Sequence, residues 1–468
     1  MFKYSYILMA AITVINLPVA PALATGEPVP EHPPKSFKVL DIAPAWAGHP
    51  VNFSLLTHDK MQFVGFYDAD RNLTIGQRDL RDKDWQFKIL PTRVGWDSHN
   101  SIVMAVDRNG YIHICANMHA VPLIYFRSER PLGIASMKEV SSMTGLRESS
   151  VTYPVFINGP GGELIFSYRD GKSGEGDTLY NVYDEDSKTW SRLLGEPILD
   201  GGGRSNAYPV GPILGADGFY HLTWVWRDTS AAETNHDLSY ARSRDLKNWE
   251  SAAGNPIQLP ITPMTPGVVV DPIPVNGGII NSSGRVGFDQ AGGVVITYHK
   301  FDKFGNTQLY FARFVDGAWQ SSQATDWDYR WNIHGGGSLT FELRHGAIAW
   351  RDQKLVLPIQ HVKYGSGFWS IDPHSMKLAE RISGLEDDLP PELREVKSSF
   401  PGMEVRWVED IRRGTGGSRF LVDASVPPNG KTYLLRWETL GFNRDQPRSK
   451  PWPPAAMLQL VEISSPQP

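Results

Sequence analysis

Residues 98–128 read SHNSIVMAVDRNGYIHICANMHAVPLIYFRS. Residues 102–106 alternate as a strand, and Asp107-Arg108-Asn109-Gly110 carries tight-turn chemistry. Residues 111–116 then form the return strand. A hairpin closed at that turn brings its outer ends together. His99 and His119, each beside an asparagine, therefore stand side by side at one rim of a sheet. Polar side chains gathered at a strand rim mark a candidate site.

The same pattern recurs along the chain. A Gly/Asp turn leads into an alternating apolar strand, then an aromatic-rich strand, then a polar turn that often ends in Trp. Instances begin near Met61, Gly110, Gly162, Gly218, Gly292 and Gln353, with a weaker one at Arg419. Regular spacing, dominant strand character and little helical periodicity predict propeller blades, about seven of four strands each. A pair of β-sandwiches would not explain the regular repeat. The endings Asp186…Trp190 and Asp245…Trp249 look like degenerate Asp-box turns, which cap blades and do no chemistry.

The chain has 468 residues, with 44 Gly, 35 Pro, 15 Trp and 17 Tyr, which suits short strands and tight turns. A net charge of −5 provides no basic footprint for nucleic acid. One cysteine, Cys115, excludes an internal disulfide framework and fits a small buried apolar residue. At the N-terminus, Lys3, an apolar run at residues 6–14 and Ala22-Leu23-Ala24 read as a secretory signal cut after Ala24. That run is too short to span a bilayer. Residues 25–40 are expected to be an extended Pro-rich lead-in, and 41–468 a single propeller. The expected location is secreted or periplasmic.

Rim positions of successive repeats converge around one end of a propeller channel. One repeat offers His99, Asn100, Asn117 and His119. The next offers Thr152-Tyr153-Pro154 and then Tyr168-Arg169-Asp170. The one after repeats that layout with Ala207-Tyr208-Pro209, Trp226-Arg227-Asp228 and Asn235-His236-Asp237. The aspartate after each arginine reads as its orienting partner. His113, His221 and His361 fall within strands or at their ends and read as packing or turn residues. Tyr153 and Tyr208 also fit corner tyrosines, and Arg169 and Arg227 structural ion pairs.

The set lacks the pair of carboxylates that ordinary glycosidases require. His, Tyr and Arg together fit β-elimination at a uronic acid. An arginine pairs with the C6 carboxylate and eases removal of the C5 proton. A His or Tyr takes that proton, and a second one protonates the departing O4. No cofactor is required. The clustered histidines leave room for a structural metal ion, but no ligand spacing is diagnostic.

The motifs SHNSI…AVDRNGYIHICANMHAVPLIYFRS, VTYPVF, SYRDGKSGEGDT, NAYPVGP, WVWRDT and TNHDLSYARS resemble the BNR-repeat-containing propeller proteins. That group includes polysaccharide lyases of the ulvan-lyase type, families 24 and 25. The resemblance is strong over residues 95–249 and weak elsewhere. It implies a seven-bladed propeller that cleaves beside a uronate in a rhamnose–uronate polymer, leaving a 4,5-unsaturated end. It assigns catalytic roles to His99, His119, Tyr153 and Arg169, with Tyr208 and Arg227 as further cleft positions. Asn100, Asn117 and His236 are expected to bind substrate. Similar propellers include rhamnosidases acting on rhamnosyl-glucuronate, so an exo-α-L-rhamnosidase and a non-catalytic carbohydrate-binding propeller are the alternatives. The expected partner is an acidic polysaccharide or oligosaccharide, with no nucleic acid or membrane, and a monomeric state.

Overall fold

The computed structural model describes residues 36–351, 353–382, 389–411 and 431–464. The expected signal sequence at 1–24 lies outside them. Among the described residues almost every element is a strand, and the one α-helix, Pro391–Arg394, is a single turn. Among the described residues no helix is long and apolar enough to cross a membrane.

Among the described residues the strands form six hydrogen-bonded sheets. The expected hairpin is there: Val103–Val106 pairs with Ile112–Cys115, with Ala105 opposite His113. Its turn is locked by Asp107, whose Oδ1 accepts the amides of Asn109 and Tyr111. Gly110 adopts a positive φ of 83° there, which a side chain would resist.

Six sheets, rather than seven separate ones, arise because the chain ends meet. Ser36–Ala45 pairs antiparallel with Ala456–Ser464. The expected lead-in boundary at residue 40 thus falls inside a strand that closes the ring. Residues 55 and 56 pair in parallel with 410 and 411, which joins the first and last repeats into one eight-stranded sheet. The sequence pattern expects seven repeats; the six sheets would match it only if that eight-stranded sheet is divided at this parallel pair. Phe53 stacks on Trp437 across the same seam, ring centres 4.6 Å apart.

That parallel pair also reveals the architecture. Ser54–His58 lies against both Met403–Ile411 and Val103–Val106, and Val103–Val106 against Val151–Asn158, as an all-β propeller requires of the first strands of its repeats. These strands are Ser54–His58, Val103–Val106, Val151–Asn158, Asn206–Leu214, Arg285–Phe288, Leu343–His345 and Met403–Ile411. In a propeller the N-terminal ends of such strands share one mouth of the central channel.

The core lies between adjacent sheets, where Trp224, Trp226, Tyr168, Tyr183 and Phe166 are fully buried. Burying side chains of this size contributes about 1.5–3 kcal/mol each. His113 belongs to this core: its ring nitrogens face Tyr125 and Asp107. His221 repeats the arrangement with Tyr240 and Asp217. At the second Asp-box, Asp245 accepts the amides of Lys247 and Asn248. At the first, the capping residue is Asp184, which accepts from Ser187, rather than the expected Asp186. Cys115 is buried and its thiol is pushed up by burial, as suits an inert core residue.

Candidate active site

His119 reaches the site through a change of sheet. After Cys115 the chain turns through two left-handed residues, Asn117 (φ 60°) and Ala120 (φ 55°). The strand His119–Val121 then leaves its own repeat and pairs with Val151–Asn158, placing His119 opposite Thr152. The Ala120 amide donates to Thr152 Oγ1 at 2.7 Å, fixing the crossover. A register shift after Thr152 accompanies Tyr153, itself left-handed at φ 52°. Strained backbone of this kind at a non-glycine residue is characteristic of functional sites.

These distortions bring four aromatic rings together. The His99 and His119 centroids are 4.4 Å apart, and Tyr153 lies 5.8 and 5.7 Å from them. Tyr208 follows at 6.0 Å from Tyr153. The Arg169 guanidinium sits over both phenols, 4.9 Å from Tyr153 and 5.4 Å from Tyr208. Arg227 covers Tyr208 at 5.4 Å, and its Nη1 donates to the Tyr208 hydroxyl at 3.3 Å. His99, His119, Tyr153, Arg169, Tyr208 and Arg227 therefore form one group.

Asp97, which the sequence reading did not single out, organises the histidines. Its Oδ1 lies 2.7 Å from His99 Nδ1 and its Oδ2 2.5 Å from His119 Nδ1. The Asp97 carboxyl is held well below the usual range: burial opposes ionisation, but the two histidines outweigh it. A proton on each Nδ1 satisfies Asp97 and leaves each Nε2 with a free lone pair. Both rings are about a quarter exposed, at 24% and 25%, so they can be reached. Asp445 supports the loop from the last repeat, accepting from the Ser98 amide and hydroxyl and the Ser338 amide.

The phenols differ. Burial pushes the Tyr153 hydroxyl up, and the charges of Arg169 and Arg227 only partly offset this. At Tyr208 burial also opposes ionisation, but Arg169, Arg227 and the Ser173 hydroxyl prevail and the net shift is down. Arg169 is 4% exposed. Its Nε donates to the Gly171 carbonyl, while Nη1 and Nη2 are buried without hydrogen-bond partners. A Cβ at Gly176 would lie 2.6 Å from Arg169 Cδ, so only glycine leaves room for this placement.

Other expectations need correction. Asp170 does not orient Arg169; it pairs with Arg147 at 2.7 Å, because neighbouring residues on a strand point to opposite faces. Asp228 likewise faces His236 Nε2. Asn117 ties the crossover to the neighbouring repeat, donating to Thr92 Oγ1 and the Arg93 carbonyl. Asn100 is buried, and its carbonyl accepts from the Tyr67 hydroxyl. His236 stands between Asp237 and Asp228, and lines a separate 330 Å³ pocket with Pro272 to Val275. The side chains of Asn117 and His236 thus have protein partners, and His236 lines its own pocket.

Asp97, His99 and His119 also present ligand atoms within 4.8 Å of one another, a spacing suited to a cation. Both Nδ1 atoms already face Asp97, which favours the proton-bridged arrangement.

The family model of BNR repeat-containing proteins matches residues 61–327, more than half of the chain. The chain belongs to this family. Its fold is similar to that of the polysaccharide lyase Uly1, at 14% identity and a TM-score of 0.58, covering 92% of this chain and 99% of that one. It is equally similar to a family PL25 ulvan lyase, at 14% identity and a TM-score of 0.58, covering 90% and 94%. That enzyme was also solved bound to -[GlcA(1-4)Rha3S]-, with a TM-score of 0.55. No curated protein matches the chain.

Proposed function

We propose that the protein is a secreted or periplasmic, monomeric polysaccharide lyase acting on a rhamnose–uronate polymer of the ulvan kind. The observation that carries this reading is the Arg169 guanidinium, with two unpartnered nitrogens, between two tyrosines and beside a histidine pair. A planar fork of donors matches a uronate carboxylate. Neutralising that carboxylate stabilises the charge that develops when the C5 proton leaves.

In this mechanism His99 Nε2 takes the C5 proton, with Nδ1 held by Asp97. The electron pair forms the C4–C5 double bond, and the C4–O4 bond breaks. Tyr153, kept protonated by burial, donates its proton to O4. For the opposite C5 epimer an exchange of roles needs a deprotonated Tyr153, which burial opposes, so the site favours the epimer served by His99 as base. His119 shares Asp97 and holds His99 in place. Tyr208 sits between Arg169 and Arg227. These steps need no cofactor.

Hydrolysis by a paired-carboxylate route is less well supported. The carboxylates beside the histidines are Asp97 and Asp445, and both are engaged, by imidazoles and by amide and hydroxyl donors. The test is incubation with ulvan and with its desulfated form while following ultraviolet absorbance of the conjugated uronate. Rising absorbance, abolished in Tyr153→Phe, supports the lyase. Reducing ends without absorbance indicate the rhamnosidase, and binding without products indicates a lectin-like propeller.

A further inference from the structure

The channel mouth continues beyond the site just described. Tyr153 and Tyr208 are the third residues of their first strands, Val151–Asn158 and Asn206–Leu214. Going round the ring, the corresponding ends of the next three first strands carry arginine. Arg285 opens Arg285–Phe288, Arg344 is second in Leu343–His345, and Arg406 is fourth in Met403–Ile411.

These three cations are poorly matched by protein charge. Arg406 lies 3.4 Å from Glu404, itself more than half exposed. Among the described residues neither Arg285 nor Arg344 has a carboxylate partner. The Nε atoms of Arg285 and Arg406 are buried with no hydrogen-bond partner. Aromatic rings brace two of them: Arg344 over Phe341 at 4.5 Å and Arg406 over Phe442 at 4.8 Å. The arginines feel one another. Burial, then the charges of Arg406 and Arg285, push Arg344 down to about 10, with Glu404 opposing. The nearby His299 and His345 are buried and held neutral by burial, so they add no charge near pH 7. Gathering guanidiniums in a desolvated mouth is costly unless an anion joins them.

We propose that Arg285, Arg344 and Arg406 form an anion subsite for an oxyanion substituent, a sulfate ester or a carboxylate, on a sugar beyond the one being cleaved. The inference rests on reading the same mouth as a polysaccharide site. It makes the arc from Tyr153 to Arg406 one continuous track, with chemistry on one side of the channel and charge recognition on the other.

The test is titration calorimetry with a sulfated rhamnoglucuronan oligosaccharide and its desulfated counterpart, alongside steady-state kinetics on both. Arg344→Gln should weaken binding about tenfold or more, and raise KM more than it lowers kcat. Arg344→Lys, which keeps the charge without the fork, should fall between. A loss confined to the sulfated ligand assigns the sulfate ester; an equal loss on both assigns the carboxylate. Should Arg344→Gln fail to fold, Arg406→Gln, in the same group, gives the same readout. Wild-type affinity for both ligands in a folded variant overturns the inference. Arginine-dependent binding without any unsaturated product would leave it standing and remove the lyase reading instead.

Discussion

His99 and His119 stand with ring centres 4.4 Å apart and share one carboxylate, Asp97, through their Nδ1 atoms. A single acid thereby fixes two imidazoles through their Nδ1 atoms and leaves both Nε2 atoms free of it. Side chains placed like Asp97 set the tautomer and orientation of the groups that do the chemistry.

Asp97→Asn keeps the shape but replaces an acceptor by an amide that can accept from only one histidine. Turnover should fall about a hundredfold or more, by analogy with the loss of supporting carboxylates elsewhere. The melting temperature should change little. Initial rates with near-wild-type thermal melting check this; full activity in Asp97→Asn would make the shared carboxylate incidental.

Arg169→Lys should reduce kcat/KM roughly a hundredfold while the protein remains folded. Lysine keeps the charge but not the bidentate fork, and one such contact is worth about 3 kcal/mol in the transition state. Near-normal rates would reassign Arg169 to structure and turn attention to Arg227.

The alkaline side of the pH profile should report Tyr208. Its hydroxyl is shifted below the ordinary phenol value of about 10. As pH rises through that lowered value, a phenolate forms between Arg169 and Arg227 and competes with the substrate carboxylate. The quantity kcat/KM should therefore decline at lower pH than a free phenol would dictate. Tyr208→Phe should push that decline upward, whereas an unchanged alkaline limb would show that another group causes it.

Much of this was legible in the sequence. The hairpin around Asp107 and Gly110 announces itself by turn chemistry and brings the chain near His99 and His119 to one rim, but their contact also needs the crossover at Asn117 and Ala120 onto the next repeat. Tyr153, Arg169, Tyr208 and Arg227 were legible because two adjacent repeats use the same layout. Asp97 was not, although Asp97-Ser98-His99 carries a signal. Its Oδ1 also accepts the His99 amide at 2.9 Å, an Asx-type turn in which the acid and histidine are locally bound. Asn117 adopts left-handed backbone, which asparagine favours, so its place in the sequence also has a conformational reason. The orienting acids failed because strand alternation sends Asp170 away from Arg169. Arg285, Arg344 and Arg406 fall where the family resemblance is weak, so only their places at the ends of the first strands bring them together.

Dialysis against a strong chelator should leave turnover unchanged, since proton transfer by His99 and Tyr153 needs no metal. A loss of activity restored by added divalent cation would place an ion on Asp97, His99 and His119.

The central claim is elimination rather than hydrolysis, and digestion in oxygen-18 water tests it most directly. Mass spectrometry of the oligosaccharides should show products whose masses sum to that of the parent, with no heavy oxygen at the cleaved bond. Products that gain one water and carry the label would contradict the account and identify a hydrolase.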